Sequence, residues 1–421
     1  MKRMRWLQRR LALTPQATAT VFVALIENGW LSVLANQIGF GFVLALAMTG
    51  PWATYKHIPA TDVLIPTALA GHLVVVFSWL IVSKTRIVIG LAGYTFAALC
   101  AVVALSYFWS IRPHMWGVHM AWWGICFVCF LAALNFVKGE GRIKLFAFAC
   151  GVGALLTLPQ LNMEEFHRLG GAWRYTVSAH NANFTAYVLT AYAYVAIAVL
   201  RLFKTSTVEK IGLGVTILPV CVGLYFLNSR GAQIALMLTA TAALASIWLP
   251  RGWQTVAVIA MLIVAVIVPS GLLSPLLSIV DTFSAKGTGD LSSRLVLWEE
   301  ARQRILDNPM LGIGAAGFPV TSVVEKDVHN FFLGIMVEFG LLGFVCVVAM
   351  GRALWLAVRH RGVPGMALLL MFTSFFLPIA STGQILVMSQ LWIVLGITFS
   401  IAACLNESLA LQSIDAANTG V

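Results

Sequence analysis

Apolar runs long enough to cross a bilayer recur along almost the whole of this chain. A spanning helix needs about 20 mostly apolar residues. Eleven stretches have that length and character, near 63–82, 87–108, 117–137, 143–160, 180–200, 211–227, 231–249, 253–272, 329–350, 364–381 and 384–404. Charged residues make up 10% of the 421 positions, against about a quarter in soluble domains. In hydrocarbon each backbone N–H and C=O must be satisfied within its own segment. The expected class is therefore an all-α integral membrane protein.

The stretch 17–55 is long enough for two spans but is interrupted by Glu27, Asn28, Gly29 and Gln37, so the positive charges have to decide its crossings. The opening MKRMRWLQRR carries five basic residues and no acid, which places it in the cytoplasm under the positive-inside rule. It reads as an uncleaved anchor, since no small-residue cleavage site precedes a soluble domain. If 17–55 crosses once, the cytoplasmic side receives Lys84, Arg86, Lys138, Arg142, Lys144, Arg201, Lys204, Lys210, Arg251, Arg352, Arg359 and Arg361. The short outer loops then keep only Lys56, Arg112, Arg168, Arg174 and Arg230. Two crossings would invert that balance. The expectation is about twelve transmembrane helices with both termini inside. About nine spans fall in 1–272, one long outer loop occupies 273–328, and three spans and a cytoplasmic tail make up 329–421.

The net charge of +11 does not point to nucleic acid. A reading surface gathers Lys and Arg on one face, whereas here they sit in small clusters between apolar runs. The seven cysteines lie within or at the ends of apolar segments, and Cys126 and Cys129 are flanked by Trp122, Trp123, Phe127 and Phe130, so they read as packing residues. No His-Glu-x-x-His pattern and no outer Asp-x-Asp pair is present, Asp281 and Asp290 being isolated. No metal site and no cofactor are expected.

Three polar clusters open helices that enter from the outer side. They are WRYTVSAHNANFTAY, with Arg174, His180, Asn181 and Asn183; NSRGAQ, with Arg230; and KDVHNFFLGIMVEFG, with His329 and Asn330. Helix N-termini offer free N–H groups and partial positive charge to an anion such as a phosphate. Arg230 has no acid near it in sequence. It either holds such an anion or snorkels to lipid headgroups. In the long loop, residues 293–306 read as an amphipathic helix with Leu295, Trp298, Ala301 and Ile305 on one stripe, ending before Asn308-Pro309. Such a helix suits the outer leaflet surface. Arg294 at its start again suits an anion, while Glu299 and Glu300 have the spacing to pair with Arg302 and Arg304. Gly312, Gly314 and Gly317 permit tight turns without matching a phosphate loop. Beside a helix N-terminus His329 should stay neutral, fit to deprotonate a hydroxyl or to orient one by a hydrogen bond. A proton pathway for a transporter has only Glu27, His72, His119 and Glu338 to work with.

NSRGA after a span, then SSRLVLWEEARQRILDNPMLGIGAAGF, then VHNFFLGIMVEFGLLG resembles the bacterial O-antigen ligase and polymerase superfamily of polytopic glycosyltransferases. AHNANFTAY is similar to an Asn-containing segment that such proteins carry before a middle span. The resemblance implies transfer of a glycan from an undecaprenyl diphosphate carrier at the periplasmic face of the inner membrane. In the ligase branch the acceptor is a sugar hydroxyl of the lipid A core. Carried over by residue, Arg230 and Arg294 would hold the diphosphate and His329 would activate the acceptor. Arg174 joins them by position, with His180, Asn181, Asn183, Asn330 and Arg302 as supporting groups. The length and the lack of a large C-terminal periplasmic region resemble the ligase more than the protein-glycosylating branch, and polymerases remain the nearest alternative. Cysteines placed at 230 and 329 should react with an impermeant reagent from the same side of intact cells; labelling from opposite sides would dismantle this site.

Overall fold

The computed structural model describes residues 30–53, 88–166, 172–177, 182–267, 290–322, 327–382 and 389–419. Within them run α1 (Trp30–Ala53), α2 (Gly90–Leu105), α3 (Pro113–Phe136), α4 (Glu140–Thr157), α5 (Ala182–Leu202), α6 (Thr207–Leu227), α7 (Arg230–Trp248), α8 (Arg251–Ile267), α9 (Asp290–Asp307), α10 (Phe331–Val358), α11 (Gly362–Thr382) and α12 (Ser389–Thr419). Eight of the described helical stretches are long and apolar enough to cross a membrane, and shorter apolar helices cover Val33–Met48, Arg251–Val264 and Ser389–Leu405. The expected span at 63–82 and the basic N-terminus lie outside the described residues. The described part of the ambiguous stretch 17–55 is the single helix α1.

Hydrogen bonds sort the helix ends into two groups. Asn135, in the last turn of α3, exchanges bonds with Val88 ahead of α2, at 2.8 and 3.0 Å. Lys144 donates to Lys204 O at 2.7 Å and pairs with Glu209 at 3.2 Å. Arg201 grips Ser246 through Oγ and O, both at 2.8 Å, and Arg251 donates to the carbonyl of Arg359. Arg142 reaches Asn36 Oδ1 at 2.9 Å and lies over the Phe40 ring, so α1 starts at this end too. Lys138, Lys210 and Arg361 lie here as well, which makes this the basic end of the bundle.

At the centre, α5 is buried on nearly every side. Its Ala-rich sequence suits that place, because small residues let neighbouring backbones approach where lipid supplies no hydrophobic drive. Its tyrosines turn inward, and Tyr194 bonds Thr398 of α12 at 2.9 Å and stacks on Phe375 of α11.

The end opposite the basic one carries two departures from expectation. One is a two-stranded antiparallel ribbon, β1 (Leu161–Phe166) with β2 (Ala172–Val177), in register from Leu161↔Val177 to Phe166↔Ala172. It is a short addition to a structure that is otherwise helical, as the expected all-α class requires. The other concerns the amphipathic helix. α9 does end at Asp307, ahead of Pro309 as expected, but its apolar stripe faces protein rather than a lipid surface. Leu297, Trp298 and Ala301 are buried with Ile313, Phe318, Val328, Leu333 and Val337, and Ile305 packs against them.

After α9 the chain runs into a break in α10. Gly340 has φ 59° and ψ −157° inside that helix, a region essentially restricted to glycine. The break frees backbone groups, and the 308–317 segment satisfies them. Ile313 N–H donates to Val337 O at 2.8 Å and Gly314 N–H to Glu338 O at 2.9 Å, while Leu341 and Leu342 donate to Pro309 O at 2.8 Å and Met310 O at 3.3 Å. The crossing is so close that a Cβ on Gly340 would lie 2.4 Å from Met310 O, and one on Gly312 2.4 Å from Val337 O. Gly340→Ala should therefore cost about 1–3 kcal/mol in backbone strain alone, with the clash added, and lower the melting temperature of the purified protein. Gly351→Ala, with open space around it, should leave it unchanged. Equal melting of the two would refute this account of the break.

Candidate functional site at the start of α10

Asn330 caps α10. Its Oδ1 accepts from Phe332 N at 3.0 Å and Leu333 N at 3.1 Å, and its carbonyl accepts from Gly334 N at 2.9 Å. Both N–H bonds to Oδ1 fix the amide's orientation, so Nδ2 is the remaining donor. Asn330 is 2% exposed and that nitrogen is buried without a hydrogen-bond partner in the described structure.

His329 stands one residue outside the cap, half-buried, with φ 51°. A left-handed backbone is uncommon for a residue other than glycine, with His among those several-fold enriched there. Such conformations persist where the surroundings hold them, often at functional sites.

α9 lies against this junction. Trp298 Nε1 donates to Val328 O at 3.1 Å, pinning the middle of α9 to the residue before His329. Arg294, one turn earlier, is half-buried. Arg302 pairs with Glu299 on the same helix, whereas Arg304 reaches Thr321 O at 3.4 Å instead of an acid. The expected pairing of the four charges thus holds for one pair, and Glu300 keeps a buried oxygen with no partner.

Arg230 sits elsewhere at the same end. The α6–α7 turn places Asn228 in the left-handed region and Ser229 in extended backbone, so Arg230 is the first residue of α7. It is exposed and makes no hydrogen bond or ion pair among the described residues. Arg174 is in β2, where the register sets it opposite Glu164, an acid that the sequence reading did not weigh as its neighbour. Asn183 is the second residue of α5 and half-buried. His180 and Asn181 lie outside the described residues. The structure therefore brings Arg294 and Arg302 on α9 together with His329 and Asn330 on packed elements, and leaves Arg230 and Arg174 at the same end on other ones.

A cavity of about 800 Å³ opens beside the junction between α8, α10, α11 and α12. Phe331, Phe332, Met336, Phe376 and Trp392 are among its apolar walls, with Arg302 and Arg352 also on its lining. Among the described residues no group of three His, Cys, Asp or Glu side chains could hold a metal ion. Two features escaped the sequence reading: the indole bond from Trp298 and the seam between 308–317 and α10. The advance signals of the seam were Gly340 within the α10 run and the turn-permitting Gly312, Gly314 and Gly317.

Compared with known proteins, residues 214–348 match the family model described as O-Antigen ligase. No curated protein matches the chain. The matched stretch contains Arg230, Arg294 and His329, the break at Gly340 and the segment that fills it, and over those residues the chain is similar to the O-antigen ligase family.

Proposed function

We propose that this protein is an O-antigen ligase, moving a glycan from undecaprenyl diphosphate to a sugar hydroxyl of the lipid A core and so completing lipopolysaccharide. The reading places it in the bacterial inner membrane with both termini cytoplasmic and the α9–α10 junction on the periplasmic face. What carries it is that junction. A histidine in a strained backbone stands beside an arginine-bearing helix, two residues from the wall of an apolar cavity fit for a lipid tail.

In this reaction the acceptor oxygen attacks the anomeric carbon and His329 takes the hydroxyl proton. The bond from that carbon to the diphosphate oxygen breaks, and undecaprenyl diphosphate leaves with the electron pair. One displacement inverts the configuration. Arg230 and Arg294 bind the diphosphate and carry its developing charge in place of a metal ion, with Arg174 as a further cation. Asn330 holds the start of α10, and His180, Asn181, Asn183 and Arg302 complete the surroundings of the donor.

Purified protein given one lipid-linked glycan should glycosylate lipid A core in the presence of a chelator. Exclusive transfer to a second lipid-linked unit or to a pilin-like protein would move it to another branch of the superfamily. Movement of donor across liposomes with no new glycosidic bond would make it a transporter. His329→Ala should lower turnover by about 10² to 10⁴ with donor binding retained, and near-normal turnover would remove it as general base. Arg230→Lys should also impair transfer, since an ammonium cannot reproduce the planar fork.

A further inference from the structure

We propose that the end of the cavity away from His329 is a binding site for an anionic glycerophospholipid, with its phosphate between Arg251, Arg352 and Arg359 and one acyl chain in the cleft between α8 and α10. Nothing in this depends on glycan transfer. The cavity is walled by α10 from Phe331 to Trp355, about 36 Å at 1.5 Å per residue, against a hydrocarbon core of about 30 Å. It therefore runs from the α9–α10 junction to the basic end. α8 and α10 both pack on α11, and the cavity lies between them. Ile259, Leu262 and Val348 line it yet are 50, 45 and 54% exposed, so its mouth faces sideways, where lipid chains lie.

The basic end of this cleft gathers guanidinium groups that pair with no acid among the described residues. Arg352 is on its lining, two turns before the end of α10, exposed and without a hydrogen bond or ion pair among the described residues. An ionisable group that far into a membrane-length helix calls for a named partner. Trp355 and Arg359 follow it at three and four residues, the spacing of one helix face, and Trp355 also lines the cavity. Across the cleft Arg251 opens α8, the end where the helix dipole disfavours a cation, and its guanidinium is held by the carbonyl of Arg359. Three like charges thus meet at the rim of an apolar cleft, and a phosphate oxyanion offsets their repulsion through charge-assisted bonds. Trp248 and Trp253, 76 and 64% exposed, set this level at the headgroups, where indole rings concentrate.

Beyond the cations the walls suit a hydrocarbon chain. Leu262, Phe344, Val347, Phe372 and Leu395 are among them, and the hydroxyls of Thr255 and Thr373 are spent on backbone carbonyls of their own helices. A soluble phosphate would leave that slot empty, and an arginine that merely snorkels needs no slot beside it. A lipid whose phosphate lies at the level of these arginines fills both parts. Under the positive-inside rule the basic end faces the cytoplasmic leaflet, whose anionic lipids are glycerophospholipids.

Full-length protein in detergent micelles, titrated with phosphatidylglycerol and observed by native mass spectrometry, should bind one molecule ahead of the rest, about tenfold more tightly than phosphatidylethanolamine. The Arg352→Gln/Arg359→Gln double variant should lose about 30-fold in that affinity, the scale of two arginines facing an anionic lipid. Gly351→Phe, which puts a ring into open space on the cavity lining, should lose about tenfold with both arginines in place. Lys204→Gln/Lys210→Gln, at the same end on other elements, should match wild type. Equal affinity for the two lipids, full affinity in the arginine variant or the same loss in the lysine variant would each overturn the site. Full affinity in Gly351→Phe would overturn it too, leaving only headgroup contact at the surface. Undecaprenyl diphosphate weakened by the arginine variant, with phosphatidylglycerol unaffected, would give this end to the other lipid and overturn the proposal. Should the double variant not purify, Gly351→Phe and the wild-type comparison of the two phospholipids decide. Selective phosphatidylglycerol binding by a protein that transfers no glycan would uphold this site while removing the proposed reaction.

Discussion

A helix cannot be interrupted within a membrane-length apolar segment unless something other than water satisfies the groups it frees. Each orphaned N–H or C=O costs several kcal/mol in hydrocarbon. α10 is interrupted at Gly340, and the rest of the candidate site follows from how that is repaired. The repair comes from residues 308–317, four backbone bonds in all, two into carbonyls before the break and two from amides after it. A segment that would otherwise belong to the extramembrane loop is drawn into the bundle. α9, immediately upstream, is held there with it.

That arrangement explains why the amphipathic helix is packed on protein. An apolar stripe at helical spacing is compatible with a bilayer surface or with a neighbouring helix, and sequence alone has no means to choose. The tether at 308–317 and the indole bond to Val328 bring α9 over the start of α10, and the stripe buries there. Beneath that start lies an aromatic floor. Phe331 meets Phe376 and Trp392, Trp392 lies tilted against Phe96 with ring centroids 4.3 Å apart, and Trp123 meets Phe339 in edge contact. The cap residue Asn330 and the residue outside it therefore rest on close-packed rings from α2, α3, α11 and α12, a support stiffer than a loop could give.

Much of the helical scaffold was legible because spans depend on local composition. The predicted span at 329–350 is the helix Phe331–Val358, and that at 180–200 is Ala182–Leu202. The end of α9 was legible from Pro309, which restricts the residue before it. The ribbon was not, since LNMEEF and AWRYTV carry weak alternation beside the apolar runs around them. The seam was least legible. GIGAAG in sequence is compatible with many turns, and what selects this one is pairing with residues more than 20 positions away. Arg174 shows the same limit, because its opposite number Glu164 becomes a neighbour only once the strands pair.

The cations at this end differ in what they have left to offer an anion. Arg302 is paired with Glu299, so it brings little uncompensated charge. Arg304 is engaged with a carbonyl. Arg230 has no partner among the described residues, and it begins α7, where the N–H groups of the first turn point the same way. An unpaired guanidinium at a membrane boundary is stabilised by whatever anion arrives, and a diphosphate accepts its fork in two places. His329 stands one residue outside the capped start of α10, where the N–H groups of the first turn point. In the proposed reaction Arg230 and His329 would serve the two sides of one displacement, in which the leaving group takes the charge and the acceptor gives up the proton.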